Sequence, residues 1–287
     1  MTKKKIHLHI GLPKTATTLI QNTLFAAPDL MSKHGIRYLQ TGTDVFGDRG
    51  HHLLVSGTLG SRGRRILRRL TDEDLAAAWP AARKEIDAAP ETDIFISSEL
   101  FSFAVIEPED IQAVKEQLKE YDVQVVLVLR DVGDFVDSVY AQRLKGGFEG
   151  TIGEFVGRNW DNLHWRDMTQ RWAQVFGRAN IKVLDFGKLR DGNLVSNFIQ
   201  TVFGADIDAS VIEADTANVA LPYYAAKIIH EVNGSDMSIE AKTKFRIHLR
   251  DFFDEHGAKG TFRKAKFLSD DSRKILHRYC QWPKVDH

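Results

Sequence analysis

The sequence predicts an α/β fold in which a central parallel sheet is covered by helices on both faces, followed by a helical C-terminal part. Short apolar segments alternate with amphipathic segments, which is typical of strand–helix–strand units. The segment 123–129 is almost entirely Val and Leu, as expected of a parallel strand that is buried on both faces. Beyond Asn193 the pattern is helical almost to the end.

The individual elements follow from periodicity and from the residues that begin and end helices. Strands are predicted at 6–10, 93–97, 123–129 and 181–185. Helices are predicted at 17–26, 72–88, 108–120, 134–145 and 166–176. Pro28 is expected to close the first helix, and Thr71 with Asp74 is positioned to cap the second.

One long segment has loop composition. Between about Gly42 and Gly63 the chain is rich in Gly, His and Asp, and long loops of this kind often cover a binding site. We therefore predict a lid or acceptor-binding insertion at about 42–70. The sequence contains no repeat and no evident linker, which predicts a single domain over residues 1–287.

Composition excludes several classes of function. Lys plus Arg and Asp plus Glu both count 39, so no bulk charge attracts the chain to nucleic acid or to a membrane surface. The single cysteine, Cys280, excludes an internal disulfide framework and a multi-cysteine metal site. No apolar run of 18 residues exists, and no long apolar stretch follows Met1. We expect a cytoplasmic protein without stable membrane insertion, and the sequence leaves its oligomeric state open.

The segment 11–18 reads Gly-Leu-Pro-Lys-Thr-Ala-Thr-Thr and joins the first predicted strand to the first predicted helix. This is the layout of a phosphate-binding loop, because a helix N-terminus supplies unpaired N–H groups and a partial positive charge. Compared with the pattern GxxxxGK[ST], Ala16 replaces the second Gly and Thr17 replaces the Lys. Lys14 is the only cation. The segment predicts a phosphate loop for another ligand than the usual nucleoside triphosphate, or an ordinary strand–turn–helix with a solvated lysine.

Residues 13–18 resemble the Pro-Lys-[Ser/Thr]-Gly-Thr-Thr loop of sulfotransferases that use 3′-phosphoadenosine-5′-phosphosulfate (PAPS). The family loop binds the 5′-phosphosulfate, which implies that Lys14, Thr15, Ala16, Thr17 and Thr18 bind it here. Ala16 departs from the usual Gly, and its methyl group is tolerable only at negative φ, so we expect a slightly altered loop. The resemblance covers about residues 6–200 and implies the P-loop-type three-layer sandwich of bacterial-type sulfotransferases.

A second anion site is predicted where the strand 123–129 ends. Arg130 follows this strand, and Ser138 lies one turn into the next predicted helix. A guanidinium group forms two parallel charge-assisted hydrogen bonds to a phosphate, and a Ser hydroxyl can add a donor. The pair resembles the 3′-phosphate motif of sulfotransferases, in which an Arg stands eight residues before a Ser. The alternative is an Arg that caps a strand and an unrelated Ser on a helix surface.

A basic segment near the C-terminus, at 257–264, reads Gly-Ala-Lys-Gly-Thr-Phe-Arg-Lys. Sulfotransferases often close such a loop over the 3′-phosphate, which implies contacts from Lys259, Gly260 and Arg263. A solvated basic loop explains the composition equally well.

Two residues are candidates for the general base. Glu99 directly follows the strand 93–97, so it is expected in the crevice at the carboxyl ends of the strands. Residues 97–101, Ser-Ser-Glu-Leu-Phe, also resemble the glycan-modifying branch of the sulfotransferases, where a Glu after this strand is the base. His52, in the predicted lid, is the rival base, because an imidazole titrates near neutral pH. A Glu that only caps a segment or pairs with an Arg is the alternative.

These motifs together imply a sulfotransferase that moves a sulfuryl group in line from PAPS to a hydroxyl or amine of a small-molecule or glycan acceptor, leaving PAP. Lys14 would neutralise charge on the leaving group, so no metal is expected. Two other functions stay open. One is an ATP- or GTP-dependent phosphotransferase, against which Thr17 in the lysine position argues. The other is a catalytically silent module that binds PAP. The sequence does not identify the acceptor.

Overall fold

The structure of the 287-residue chain is a computed structural model. It describes residues 3–43, 47–67, 70–103, 105, 107–212, 222–256, 265–280 and 283, with the backbone alone for 253–256.

The centre of the fold is a sheet of five parallel strands. The strands are β1 (Lys5–His9), β2 (Ile36–Tyr38), β3 (Asp93–Ser97), β4 (Asp122–Leu129) and β5 (Ile181–Asp185). Their order across the sheet is β2-β3-β1-β4-β5. The predicted α/β fold, with a central parallel sheet flanked by helices, is confirmed.

Helices lie between the strands along the chain and also follow the last strand. They are α1 (Thr17–Ala26), α2 (Pro28–Lys33), α3 (His52–Leu59), α4 (Asp72–Ala88), α5 (Leu100–Phe103), α6 (Pro108–Gln117), α7 (Val132–Lys145), α8 (Ile152–Arg158), α9 (Trp165–Phe176), α10 (Phe186–Leu189), α11 (Leu194–Phe203), α12 (Tyr223–Gly234), α13 (Ile239–His256) and α14 (Asp270–Tyr279). None of the described helices is long and apolar enough to cross a membrane.

The central strands are buried on both faces. On one face, Val126 and Val128 of β4 pack in an apolar cluster with Ile20 of α1 and Phe198 of α11. Side chains alternate between the two faces of a strand, so Val125 points to the other face, where it is equally buried. Burial on both faces explains the uninterrupted Val and Leu composition of β4.

The chain divides into two compact units. The first unit contains the sheet and comprises the described residues of Met1–Arg130 and Trp165–Asp215, with Pro283. The second comprises the described residues of Asp131–His164 and Thr216–Gln281. In the second unit the Tyr140 ring contacts the ring of Phe267, and Asn233 donates to the carbonyl oxygen of Leu144. The single domain over residues 1–287 stays a prediction.

The first helix ends at Ala26, before Pro28, as predicted, and Pro28 is also the first residue of α2, where its missing N–H needs no partner. Another local prediction is wrong. The predicted loop at 42–63 contains α3. Gly57 lies inside this helix, and a Cβ atom there would stand 2.9 Å from the carbonyl oxygen of Leu75 in α4. This glycine permits close packing of two helices and does not indicate a loop.

Candidate active site

Three chain segments that the sequence singles out lie at the same edge of the sheet. The loop 11–18 follows β1, Glu99 follows β3, and Arg130 follows β4. Because β1 lies between β3 and β4 in a parallel sheet, these segments meet at the carboxyl ends of the strands. The Oγ atom of Ser102 donates to the carbonyl oxygen of Gly11 at 3.3 Å, which ties the segment after β3 to the loop.

The loop contains two residues other than Gly in the left-handed region. Lys14 has a φ of 65°, and Ala16 has a φ of 62° with a ψ of 24°. The expected negative φ at Ala16 is therefore wrong: the chain adopts the backbone that favours Gly and accommodates a methyl group there. Left-handed residues of this kind turn successive N–H groups into a concave nest, a backbone shape that binds anions.

The threonine side chains hold the loop from within. The Oγ1 atoms of Thr15 and Thr17 donate to the carbonyl oxygen of Leu12 at 2.6 and 3.3 Å, and both residues are buried. Thr18 is exposed. Among the described residues no side chain caps the N-terminus of α1, and its first turn contains no acid. The backbone N–H groups of this turn are therefore the groups with which the loop can bind an anion.

Arg130 is anchored against this loop. Its side chain is buried, and Nη1 donates to the carbonyl oxygen of Lys14 at 3.0 Å. The guanidinium carbon lies 5.3 Å from the centre of the Phe186 ring. The structure thus brings a fixed positive charge to Lys14 and gives Arg130 a contact with the loop that sequence reasoning did not foresee.

Ser138 lies in α7 of the second unit and is half-buried. The residue before it, Asp137, accepts hydrogen bonds from the backbone N–H groups of Phe267 at 2.8 Å and Leu268 at 3.1 Å, and it contacts Arg273. These bonds hold the segment 265–268 against α7. The whole predicted basic loop at 257–264, with Lys259, Gly260 and Arg263, lies outside the described residues.

Glu99 has a carboxylate oxygen without a partner among the described residues. Its Oε2 atom is buried and accepts no hydrogen bond there. The neighbouring Ser98 is fully buried, and its N–H donates to the carbonyl oxygen of His9 at 3.1 Å, so the turn before Glu99 is fixed to the end of β1. A buried carboxylate oxygen without a hydrogen-bond donor is unfavourable unless a ligand supplies the donor. Such an oxygen suits a general base that takes a proton from a bound substrate.

The other candidate base, His52, has a partner at each ring nitrogen. Nδ1 lies 2.7 Å from the Oγ atom of Ser98, and Nε2 lies 3.2 Å from Oδ2 of Asp48. Burial acts to lower the pKa of His52, but the hydrogen bond to Asp48 and the charge of Glu99 outweigh it, so the pKa is raised. The bond to His52 in turn holds the pKa of Asp48 below its usual range. Asp48 stands four residues before His52, a spacing that sequence reasoning missed.

Two other histidines near the site are structural. Nε2 of His51 donates to the carbonyl oxygen of Leu39 at 2.8 Å, and Nδ1 accepts from the backbone N–H of Ser97 at 3.0 Å. Burial lowers the pKa of His51 to about 4 and that of His9 to about 3. Both rings are therefore neutral at physiological pH and serve to pack and connect the ends of the strands.

His9 connects the loop to the core. Its Nδ1 atom is 2.8 Å from the Oγ atom of Ser97, which also accepts from Nε2 of Gln21 at 3.1 Å. The His9 ring is stacked near Phe95, with the ring centres 5.8 Å apart. This buried polar pair gives Nδ1 of His9, the last residue of β1, a hydrogen-bond partner.

The described site therefore combines a loop with left-handed residues before an uncapped helix N-terminus, a cation fixed to that loop and a carboxylate with a buried oxygen that has no partner among the described residues. Such groups can bind a phosphorylated ligand, stabilise negative charge on it and accept a proton.

Comparison with known proteins finds no matching protein-family model and no matching curated protein. Among solved structures, a sulfotransferase from Alicyclobacillus acidocaldarius is similar with a TM-score of 0.45 and 16% identity, over 86% of this chain and 96% of that one. The sulfotransferase domain from the curacin biosynthetic pathway is similar with a TM-score of 0.43 and 11% identity, over 96% of each chain.

Proposed function

We propose that this protein is a PAPS-dependent sulfotransferase that transfers a sulfuryl group to a hydroxyl or amine of a small-molecule or glycan acceptor. We further propose that it acts in the cytoplasm. The observation that carries the proposal is the loop 11–18, in which the PAPS-loop sequence adopts the left-handed geometry at Lys14 and Ala16. The N-terminus of α1 behind it has no side-chain cap among the described residues.

The proposed chemistry follows from this arrangement. The acceptor oxygen or nitrogen attacks sulfur, the bond between sulfur and the bridging phosphate oxygen breaks, and PAP leaves. Glu99 takes the proton of the acceptor. Lys14 and the N–H groups of the loop stabilise the negative charge that develops on the leaving phosphate, and preorganised groups of this kind usually contribute the largest part of catalysis.

We assign the 3′-phosphate to Arg130 and Ser138, together with Lys259, Gly260 and Arg263. The Arg130 side chain also binds the carbonyl oxygen of Lys14, so it would couple the two phosphate groups of the same nucleotide. Because Lys14 and the N–H groups of the loop stabilise the charge of the leaving group, we propose a reaction that needs no metal ion.

The first prediction separates 3′-phosphate binding from loop support. We expect Arg130→Ala to weaken PAP binding by about 10- to 150-fold, as for a lost hydrogen bond to a charged group. AMP, which has no 3′-phosphate, should be affected much less. Arg190→Ala is a matched control, because its guanidinium carbon lies 5.6 Å from the same Phe186 ring while its side chain is exposed. Calorimetry with both nucleotides measures the ratio of their affinities.

Equal losses for PAP and AMP would show that Arg130 only supports the loop. Tight ATP binding that requires magnesium, with weak PAP binding, would overturn the proposal in favour of a phosphotransferase. PAP binding without turnover of PAPS on any acceptor would identify a silent binding module.

A further inference from the structure

A polar cluster lies next to Glu99 and is formed by Asp48, His52 and Ser98. The His52 ring bridges the other two side chains, with Nδ1 at 2.7 Å from Ser98 Oγ and Nε2 at 3.2 Å from Asp48 Oδ2. The ring also packs against Gly50, where a Cβ atom would stand 2.7 Å from Cε1 and 2.8 Å from Nε2. The imidazole is therefore held in one orientation by contacts on three sides.

This geometry is unfavourable for proton transfer from an acceptor to His52, because each nitrogen already has a protein partner. It is favourable for a fixed cation. A protonated ring donates from Nε2 to the Asp48 carboxylate and from Nδ1 to the Ser98 hydroxyl. The Ser98 hydroxyl also accepts a hydrogen bond from the backbone N–H of Leu100 at 3.2 Å. The Ser98 Oγ atom therefore connects the residues on either side of Glu99.

The surrounding charges favour the protonated ring. The charged and titratable groups of this neighbourhood are Tyr38, Asp48, Arg49, His51 and Glu99. The two carboxylates act to raise the pKa of His52 against the effect of burial. Burial holds His51 neutral, and burial followed by the charges of Asp48 and Glu99 raises the pKa of Tyr38. His52 therefore lies 3.2 Å from the Asp48 carboxylate, and the charges of Asp48 and Glu99 favour the protonated form of its ring.

We propose that His52 is a positioning residue: its imidazolium, held between Asp48 and Ser98, fixes the turn that carries Glu99 and balances the charge of the Glu99 carboxylate. This inference rests on the proposed function, in which Glu99 must be unprotonated to accept a proton. It gives the two candidate bases different roles. Glu99 accepts the proton of the substrate, and His52 holds the turn that carries Glu99 and supplies an opposite charge near it.

The direct test does not depend on activity. In the full chain, NMR titration of the His52 side chain should give a pKa above its ordinary value of 6.5. Glu99→Gln and Asp48→Asn should each lower it, because each removes a negative charge and keeps the shape of the side chain. Glu73→Gln in α4 is the control, since Glu73 is exposed and outside the cluster. A His52 pKa that is the same in wild type and Glu99→Gln would overturn the inference.

The second test uses turnover. His52→Asn keeps an amide near the position of Nδ1 and removes the charge, so the acid limb of the pH profile of kcat should move to higher pH, and kcat on the plateau should fall by less than the loss of a base would cause. A His52 base would lose activity by ~10²-fold or more at every pH. A purely structural role would lower kcat without moving the limb. If His52→Asn does not fold, Asp48→Asn provides the same comparison.

The proposed activity and the positioning role of His52 can be refuted separately. Wild-type protein that neither binds PAP nor turns over PAPS refutes the sulfotransferase, whatever the titration shows. Normal sulfuryl transfer, combined with a His52 pKa that does not change in Glu99→Gln, refutes only the positioning role.

Discussion

At the scale of single residues, Ala16 is an alanine in a backbone conformation that favours glycine. Left-handed backbone brings a Cβ atom too close to the following carbonyl oxygen, which costs about 1–2 kcal/mol for residues other than Gly. Ala16 adopts this conformation at the first turn of α1, with a φ of 62°. Strain of this kind persists when surrounding contacts fix the backbone conformation. Here the contacts are the hydrogen bonds from the Thr15 and Thr17 hydroxyl groups to the carbonyl oxygen of Leu12.

Ala16→Gly should therefore raise the free energy of unfolding by about 1 kcal/mol, because the relief of strain exceeds the added entropy of the unfolded chain. Ala77→Gly is the matched control. Ala77 is exposed in the interior of α4, so the same substitution there should lower the free energy of unfolding by about 1 kcal/mol. Urea denaturation of both variants measures the difference, and the same sign for both would contradict the left-handed assignment.

At the scale of elements, the junction of β1 and α1 is closely packed. A Cβ atom on Gly11 would stand 2.5 Å from Nε2 of His9 and 3.1 Å from Oγ1 of Thr17. The His9 ring is buried in the core and cannot move aside without disturbing its bond to Ser97. The absence of a Cβ atom at Gly11 thus allows the backbone after β1 to pack directly against the His9 imidazole.

We expect Gly11→Ala to destabilise the protein by about 1–3 kcal/mol, since it introduces a clash into a packed site. Gly157→Ala should instead stabilise it by about 0.4–1 kcal/mol, because Gly157 is exposed in α8 and a Cβ atom there meets nothing within 4 Å. Thermal unfolding monitored by circular dichroism checks both. A neutral Gly11→Ala variant would show that the junction is looser than described.

Most helices and strands could be predicted from the sequence where capping residues and the pattern of apolar side chains indicate the same element. The bounds of α1, α4 and β3 match the prediction, and the Thr71 and Asp74 capping box of α4 is present. The failures have a common cause in tertiary packing. Gly57 and Gly63 indicated a loop, yet a Cβ atom on Gly63 would stand 2.2 Å from the carbonyl oxygen of Ser56. Sequence alone does not distinguish a glycine that frees the backbone from one that lets neighbouring backbone approach.

The candidate site was predictable to a similar degree. Lys14, Glu99 and Arg130 each follow a strand, so their presence at one edge follows from the order of the elements. The bond from Arg130 to Lys14 and the contact between Asp48 and His52 were not predictable, because they depend on how loops fold over that edge. The relation of Ser138 to Arg130 stays a prediction.

At the scale of the whole molecule, buried neutral histidines make stability depend on pH. Burial lowers the pKa of His9 to about 3 and that of His51 to about 4, against 6.5 for an ordinary histidine. Below pH 6.5 the unfolded chain binds protons that the folded chain does not, so stability is present above this pH and is lost as the pH falls towards 4.

We therefore expect the free energy of unfolding to fall by up to about 1.4 kcal/mol per pH unit for each of the two histidines below neutral pH. Urea denaturation at several pH values between 7.5 and 4.5, about the range in which an ordinary histidine titrates, measures this slope. His9→Asn should be less stable at neutral pH but have a shallower slope by one proton. His34→Asn, at an exposed position, should keep the wild-type slope. An unchanged slope in His9→Asn would exclude His9 as a source of the acid sensitivity.

The central position of β1 in the sheet also affects how the chain is made. Both neighbours of β1 come much later in the sequence: Ile6 pairs with Ile94 on one side and with Val123 on the other. During synthesis at ~5–20 residues per second, the strand that precedes the phosphate loop has no partner for on the order of ten seconds. Its alternate apolar side chains and unpaired backbone stay accessible during that time, when they can associate with other nascent chains. β1 thus waits longer than an edge strand made late in synthesis before its backbone is paired, although in the finished fold four of its five residues are buried.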